Sequence, residues 1–299
     1  MQITKENLTI IIVTIKSQNI IDQCLKSIDP EVKKIVIENS SDQNFINSLK
    51  KKYQNIECFL SGKNLGMGSG NNLGIKKSNT RYVMILNPDT ILKPDTLSKI
   101  YDISNDLDFA ILSPLNNNTE YPNYKKVNGT TKNKDLLDVE QIDGYSMILD
   151  KNQFNNEFFD EKIFMYLEND DLCLRIKKKG KKIFIYKKSL ISHLGGKTVD
   201  DRYINELEYS RNWHWNWSKF YFRKKHYGFI IAFSSGFLVF LKSIFKSIFF
   251  MILNNKHKSK LYYYRASGFV NALLNKESWF RPRLDWFNAI KDIFKINAK

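Results

Sequence analysis

LTIIIVT, residues 8–14, is an apolar, β-branched run with no polar alternation, the pattern of a strand buried on both faces. Such a strand belongs to a sheet covered by helices on either side. The residues that follow agree. Residues 20–28 carry Ile21, Cys24, Leu25 and Ile28 on one helical side, and KIVI (34–37) is a second buried strand. Residues 45–53 read as helix, 56–60 as strand, 71–77 as the start of a helix, and RYVMIL (81–86) as strand. Strands alternating with helices imply βαβ units and a mostly parallel sheet. Further strands are expected near 145–149 and 182–186. Residues 116–138, rich in Asn, Thr and Lys, read as a long surface excursion over the site.

Ligands of such sheets bind beyond the carboxyl ends of the strands. Polar clusters fall there after three strands, at 38–42, 64–72 and 87–89. The glycine-dense stretch NLGMGSGNNLG (64–74) would let backbone amides approach a phosphate or a sugar ring. A dinucleotide-binding turn fits less well, because Asn71 stands where the third glycine belongs; a plain tight turn is the other alternative. Asp89, after Asn87 and Pro88, could hold Mg²⁺ or Mn²⁺ or could simply start a turn. Beside the glycine stretch, the metal reading is favoured. Glu168, Asp170 and Asp171 precede an apolar-and-basic helix pattern. Acids there stabilise a helix start, but three exceed what a cap needs and suit a general base. His193, followed by two glycines and Lys197, suits a metal or pyrophosphate contact.

Composition narrows the partners. The formal net charge of +16 favours anions, although abundant Lys and Asn account for part of the excess. The cysteines Cys24, Cys58 and Cys173 form no CxxC pair, which disfavours a zinc site or disulfide framework and fits a reducing compartment. Residues 1–8 are polar and lack a signal-peptide core, so the cytosol or the cytosolic face of a membrane is expected.

Taken in order, IVIENSSD (35–42), NLGMGSGNNLGI (64–75), LNPDT (86–90), DGYSMIL (143–149), FDEKIFMYLENDDLCLRIKKKG (159–180) and HLGGKT (193–198) resemble the family 2 inverting glycosyltransferases. Within that family they resemble the branch that includes rhamnosyltransferases of bacterial surface polysaccharides. The resemblance implies an α/β GT-A fold, a Rossmann-like mixed sheet flanked by helices over residues 1–205. It implies a nucleotide-sugar donor, dTDP-rhamnose among the candidates, and metal-assisted direct displacement. Thr14, Glu38, Asn39 and Asp42 would lie near the nucleotide. Asn64, Gly66, Asn72 and Asn87 would shape the sugar-phosphate pocket, with Lys197 offsetting phosphate charge. Asp89 and His193 would bind the metal. The base would be Asp171, then Asp170, then Glu168 in order of preference. The chain departs from the family at Thr14-Ile15-Lys16, where an aromatic-Asn pair is common, at Glu38, where Asp is usual, and at Asn169, where Asp often follows the glutamate.

Residues 206–299 read as an aromatic, basic helical extension at a membrane. GFIIAFSSGFLVFL (228–241) and SIFFMIL (247–253) are apolar but interrupted by Lys242 and Lys246, which suits an interfacial helix or a pair of them. RNWHWNWSKFYFRKKHYG (211–228) adds Trp and Tyr suited to an interface, and a glycine stop. A core or dimer helix, and with it a homo-oligomer, is the alternative, as is a spanning helix. A glycan or polyprenyl-diphosphate-linked acceptor would account for both the charge and this surface. Nucleic-acid binding through the aromatic tail and a non-catalytic sugar-nucleotide binder are the rival functions.

Overall fold

Seven consecutive buried residues make Leu8–Thr14 the strand β1 at the heart of a ten-stranded sheet. The computed structural model describes residues 2–105, 107–195 and 204–281, and the chain divides into two compact units, 1–198 and 199–299. In the first unit β1 is flanked on both sides by parallel neighbours, β2 (Lys33–Glu38) and β4 (Tyr82–Leu86), and β3 (Ile56–Leu60) follows β2. The helices between them are α1 (Ile21–Lys26), α2 (Gln43–Lys52) and α3 (Gly66–Lys77). Beyond β4 the sheet becomes mixed. The remaining strands are β5 (Thr90–Leu92), β6 (Ile111–Asn116), β7 (Tyr124–Thr130), β8 (Leu136–Ile142), β9 (Ser146–Asp150) and β10 (Ile183–His193). Their order is β3-β2-β1-β4-β9-β6-β10-β8-β7, with β5 paired to β10. The helices α4 (Thr96–Ile103) and α5 (Glu168–Lys178) complete the unit.

Alternation along β1 splits its apolar residues between two cores. Ile10 and Ile12 join Met84, Cys24, Phe45 and Ile100 under α1, α2 and α4; Ile11 and Val13 join Ile85, Ile75, Leu172 and Ile176 under α3 and α5. That two-sided burial explains the unbroken apolar run.

The first unit differs from expectation at two segments. Residues 116–138 are not a structureless excursion, because they contain β7 and the start of β8, an antiparallel pair held on β10. Exposed, Lys- and Asn-rich β7 lies at the sheet edge and carries no periodic apolar signal. The glycine stretch is helix rather than a phosphate-cradling loop, since α3 begins at Gly66. Only Gly66 needs its conformational freedom, at φ +80, and a Cβ there would stand 2.2 Å from the Phe164 carbonyl oxygen. Gly70 and Gly74 let α3 lie on β1; a Cβ at Gly74 would meet Ile11 Cγ2 at 2.4 Å. Gly74→Ala is therefore expected to lower stability by about 1–3 kcal/mol despite its better helix propensity, read as a lower urea midpoint.

The second unit contains α6 (Ile204–Tyr227), α7 (Phe229–Ile252) and α8 (Lys256–Leu273). Gly228, at φ +89, makes the break between the first two. Trp213 and Trp217, four residues apart, are core rather than interface residues, packed with Phe220, Ala232, Phe269 and Phe280. Their indole N–H groups donate to Ser267 Oγ at 3.3 Å and the Lys276 carbonyl at 3.0 Å. Trp215, on the opposite face, is exposed. The apolar segments after Gly228 form one continuous helix rather than a pair. Among the described residues α7 is the one helix long and apolar enough to cross a membrane.

Candidate active site

β10 runs past its last partner residue on β6 to reach β5, pairing His193 with Thr90 in antiparallel register. This extension brings His193 beside Asp89: His193 Nε2 lies 3.4 Å from Asp89 Oδ2. The backbone closes the same corner, Leu194 N–H donating to the Asp89 carbonyl at 2.9 Å. Asp89 is buried, and its other oxygen, Oδ1, has no hydrogen-bond partner among the described residues. A buried carboxylate oxygen left unpaired is costly unless a cation takes it up. The carboxylate oxygen suits Mg²⁺ or Mn²⁺ with open positions, and the imidazole nitrogen on the neighbouring strand favours Mn²⁺ of the two. No larger ligating cluster stands among the described residues. Tyr145 fixes the imidazole plane, stacked on His193 with ring centroids 3.9 Å apart and 7° between planes.

His193 and Asn87 line a cavity of about 700 Å³, a size suited to a small-molecule ligand. Asn71 and Asn116 also line it, together with Asp143, Tyr145, Tyr166 and Glu168. Asn71 and Asn87 each bury an Oδ1 with no hydrogen-bond partner. Glu168 opens α5, and the two residues before it, Tyr166 and Leu167, both take left-handed backbone at φ 68. Left-handed backbone is uncommon for Tyr and Leu, and two such residues in succession set where α5 begins. Glu168 Oε2 is buried without a partner, and burial, with a smaller contribution from Asp170, raises the carboxyl pKa to about 7. Burial also raises Asp143 and Asp170 above the usual carboxylate range.

Asp171, the preferred base, does not face this cavity. It is fully buried and holds the Arg175 guanidinium at 2.8 Å, one turn along α5. Arg175 in turn donates to the carbonyls of Glu157 and Phe158, so Asp171 fastens α5 to the preceding loop. Asp170 has a buried, unpaired Oδ1 but is not among the cavity-lining residues. Glu168, placed last in the sequence reading, is the acid of the three that reaches the cavity. Asn169 donates to the Ile142 carbonyl at 2.8 Å.

The nucleotide candidates divide similarly. Glu38 is wholly buried and spends its carboxylate on its own loop, accepting from Ser40 N–H at 2.9 Å and Asp42 N–H at 2.8 Å. Asp42 caps α2 through Phe45 N–H at 2.9 Å and accepts from Gln18. Asn72 clamps the backbone of Phe159 in both directions, at 2.9 and 3.0 Å, and does not line the cavity. Its neighbour Asn71 does, because successive helical residues point about 100° apart. Asn64 accepts from Gly66 N–H at 3.1 Å, and Asn39 donates to the Gly66 carbonyl at 3.1 Å. These two shape the start of α3. Thr14 Oγ1 and Asn39 Oδ1 remain buried and unpartnered at the β1 and β2 ends. Lys197 lies outside the described residues.

Asp143 and Tyr145 were visible in the DGYSMIL segment without a role attached. Asn116 gave no signal at all, since nothing in a polar stretch distinguishes the amide that turns inward.

A Rossmann-like half passing into a mixed sheet, with a metal-suited pair and a buried acid at the strand ends, defines the GT-A class of architecture. The family model for glycosyl transferase family 2 matches residues 9–172, and the chain belongs to that family. It is 27% identical over 195 residues to the low-salt glycan biosynthesis hexosyltransferase Agl10 of Haloferax volcanii, a match covering 58% of this chain and 62% of that protein. Among solved structures it is similar to the mannosyltransferase PcManGT of Pyrobaculum calidifontis in complex with GDP-Man and Mn²⁺, with TM-score 0.55 and 11% identity over 91% of this chain and 88% of that one. It is also similar to S. aureus TarS 1–349, at TM-score 0.51 and 12% identity over 92% and 93% of the two chains. GalNAc-T7, solved with UDP, GalNAc and Mn²⁺, matches at TM-score 0.52 and 13% identity over 74% of this chain and 51% of that one. At these identities the structural likeness speaks for the fold: a mixed α/β sheet flanked by helices.

Proposed function

We propose that the chain is an inverting glycosyltransferase that moves a sugar from a nucleotide-sugar donor to an acceptor hydroxyl by direct displacement. The observation that carries this reading is one cavity lined both by His193, 3.4 Å from Asp89, and by Glu168, whose Oε2 is buried without a partner. Asp89 and His193 would hold Mg²⁺ or Mn²⁺; bound there, the cation supplies the positive charge that steadies a nucleoside-diphosphate leaving group. Tyr145 keeps the His193 ring in its plane. Glu168 takes the proton from the acceptor hydroxyl as that oxygen bonds to the anomeric carbon, and the sugar–phosphate bond breaks on the opposite side. A carboxyl with pKa near 7 is ionised in time to act and basic enough to accept the proton. Thr14 and Asn39 offer unpartnered oxygens for the nucleotide at the β1 and β2 ends. Asn71 and Asn87 do the same for the donor sugar.

The acceptor we propose is membrane-held, a polyprenyl-diphosphate-linked or surface-polysaccharide glycan reached from the cytoplasmic face. The exposed apolar helix α7 and the charge of +16 support that reading. Rhamnose is the donor sugar to try first. Thermal shift with a panel of nucleoside diphosphates and nucleotide sugars, dTDP-rhamnose included, should give metal-dependent stabilisation by one nucleotide; tight binding at a hundredfold excess over Kd adds about 2.7 kcal/mol. Binding of a donor without turnover on any acceptor would instead favour a non-catalytic sugar-nucleotide binder. No response to any nucleotide would overturn the reading.

A further inference from the structure

α7 keeps an apolar stripe in the open along its whole length. Ile230, Leu238, Leu241, Phe245, Ile248 and Ile252 recur at helical spacing and share one face, with Ile230 81%, Phe245 70% and Ile252 76% exposed. Continuous exposed apolar surface on this scale marks an interaction site. The opposite face is taken: Gly236 lies against the Phe269 ring, Ser247 and Ser259 exchange hydrogen bonds at 3.0 and 2.9 Å, and Phe250 stacks on Tyr262. Between the two faces runs an edge formed by Ser235, Val239, Lys242 and Lys246. Lys219 and Arg223 of α6 line a crevice with Ser235 and Val239, and Lys242 and Lys246, the latter with its ammonium over the Tyr262 ring, continue that edge, which thus carries four cations.

At about 1.5 Å per residue, the 24 residues of α7 reach about 36 Å, enough to cross a bilayer. Its neighbours oppose crossing. α8 lies along α7 from the Ser247–Ser259 contact to the Gly236–Phe269 contact. Arg265 falls between those two contacts, and in a spanning helix it would stand with Lys242 and Lys246 inside the hydrocarbon. Cations at that depth are costly, whereas a helix lying flat puts its stripe among acyl chains and its flanking cations at the phosphates. We propose that α7 is an in-plane membrane anchor that binds a leaflet containing anionic phospholipid. Its stripe enters the acyl region, and Lys219, Arg223, Lys242 and Lys246 meet the headgroups. This deepens the membrane-held acceptor of the preceding section, and its test does not depend on sugar transfer.

The full chain carrying Tyr227→Cys or Asn254→Cys, one at each end of α7, is probed in inside-out vesicles from the expressing cells with a membrane-impermeant maleimide. The native Cys24, Cys58 and Cys173 are buried and give little background. An in-plane anchor labels at both positions in intact vesicles. Labelling at one end only, with the other released by detergent, would mean a spanning helix and overturn the proposal. The double variant Lys242→Glu/Lys246→Glu should bind phosphatidylglycerol-containing vesicles at least tenfold more weakly at an unchanged thermal midpoint. Equal sedimentation with pure phosphatidylcholine vesicles would remove the anionic headgroup, and a soluble dimer that ignores vesicles would assign the stripe to a second copy. Transfer to a soluble acceptor, measured in parallel, reports on the catalytic reading separately.

Discussion

Glu168→Gln is expected to cut kcat by about 10²–10⁴-fold while leaving donor binding nearly unchanged. The amide fills the same space but cannot accept the acceptor's proton. In the native chain kcat/KM should rise with pH and reach half its plateau near pH 7, where burial sets the Glu168 carboxyl. The variant should lose that limb of the profile. Stability should move the other way. A carboxyl whose folded pKa exceeds its unfolded value of 4.5 holds its proton more tightly when folded, so it costs stability progressively as pH rises from about 4.5 to 7. Glu168→Gln removes that cost and should raise stability at pH 8 by about 1–3 kcal/mol, seen as a higher Tm. Asp171→Asn is the contrasting variant: it weakens the buried pair with Arg175 and should lower Tm. Near-normal turnover in Glu168→Gln, with the loss appearing in Asp170→Asn instead, would move the base to Asp170.

Asp89→Ala should lower metal-dependent turnover about a thousandfold, equivalent to about 4 kcal/mol of transition-state stabilisation. The apo fold should survive, because the contact that closes this corner uses the Asp89 backbone carbonyl and not its side chain. Removing a buried oxygen with no partner also relieves a desolvation cost. The decisive reading is stabilisation by Mn²⁺ and nucleotide together, which the native protein should show and Asp89→Ala should lose. A variant that keeps both the metal response and its turnover would place the cation elsewhere.

β1, β2 and β4 were legible because each is buried on both faces and reads as an apolar run, whereas the short strand β5 and the helix α4 carried no such signal. The polar clusters at strand ends located the site for the same reason: the sheet must stop being apolar where it meets solvent and ligand. Asp89 could be singled out from its place at the end of such a run. What the sequence determined by itself was therefore the α/β class, the side of the sheet on which the candidate site is proposed, and the family. Tertiary structure decided which polar residue of each cluster faces inward. Glu38, Asp42, Asn72 and Asp171 looked as suitable as their neighbours, yet each is spent on a loop, a cap or an ion pair. Asn71 and Glu168 turn into the cavity instead. On a helix the choice between adjacent residues is a rotation of about 100°, set by how α3 and α5 pack on the sheet. The meeting of His193 with Asp89 likewise depends on the pairing of β10 with β5 across about a hundred residues, a long-range register that no local pattern encodes.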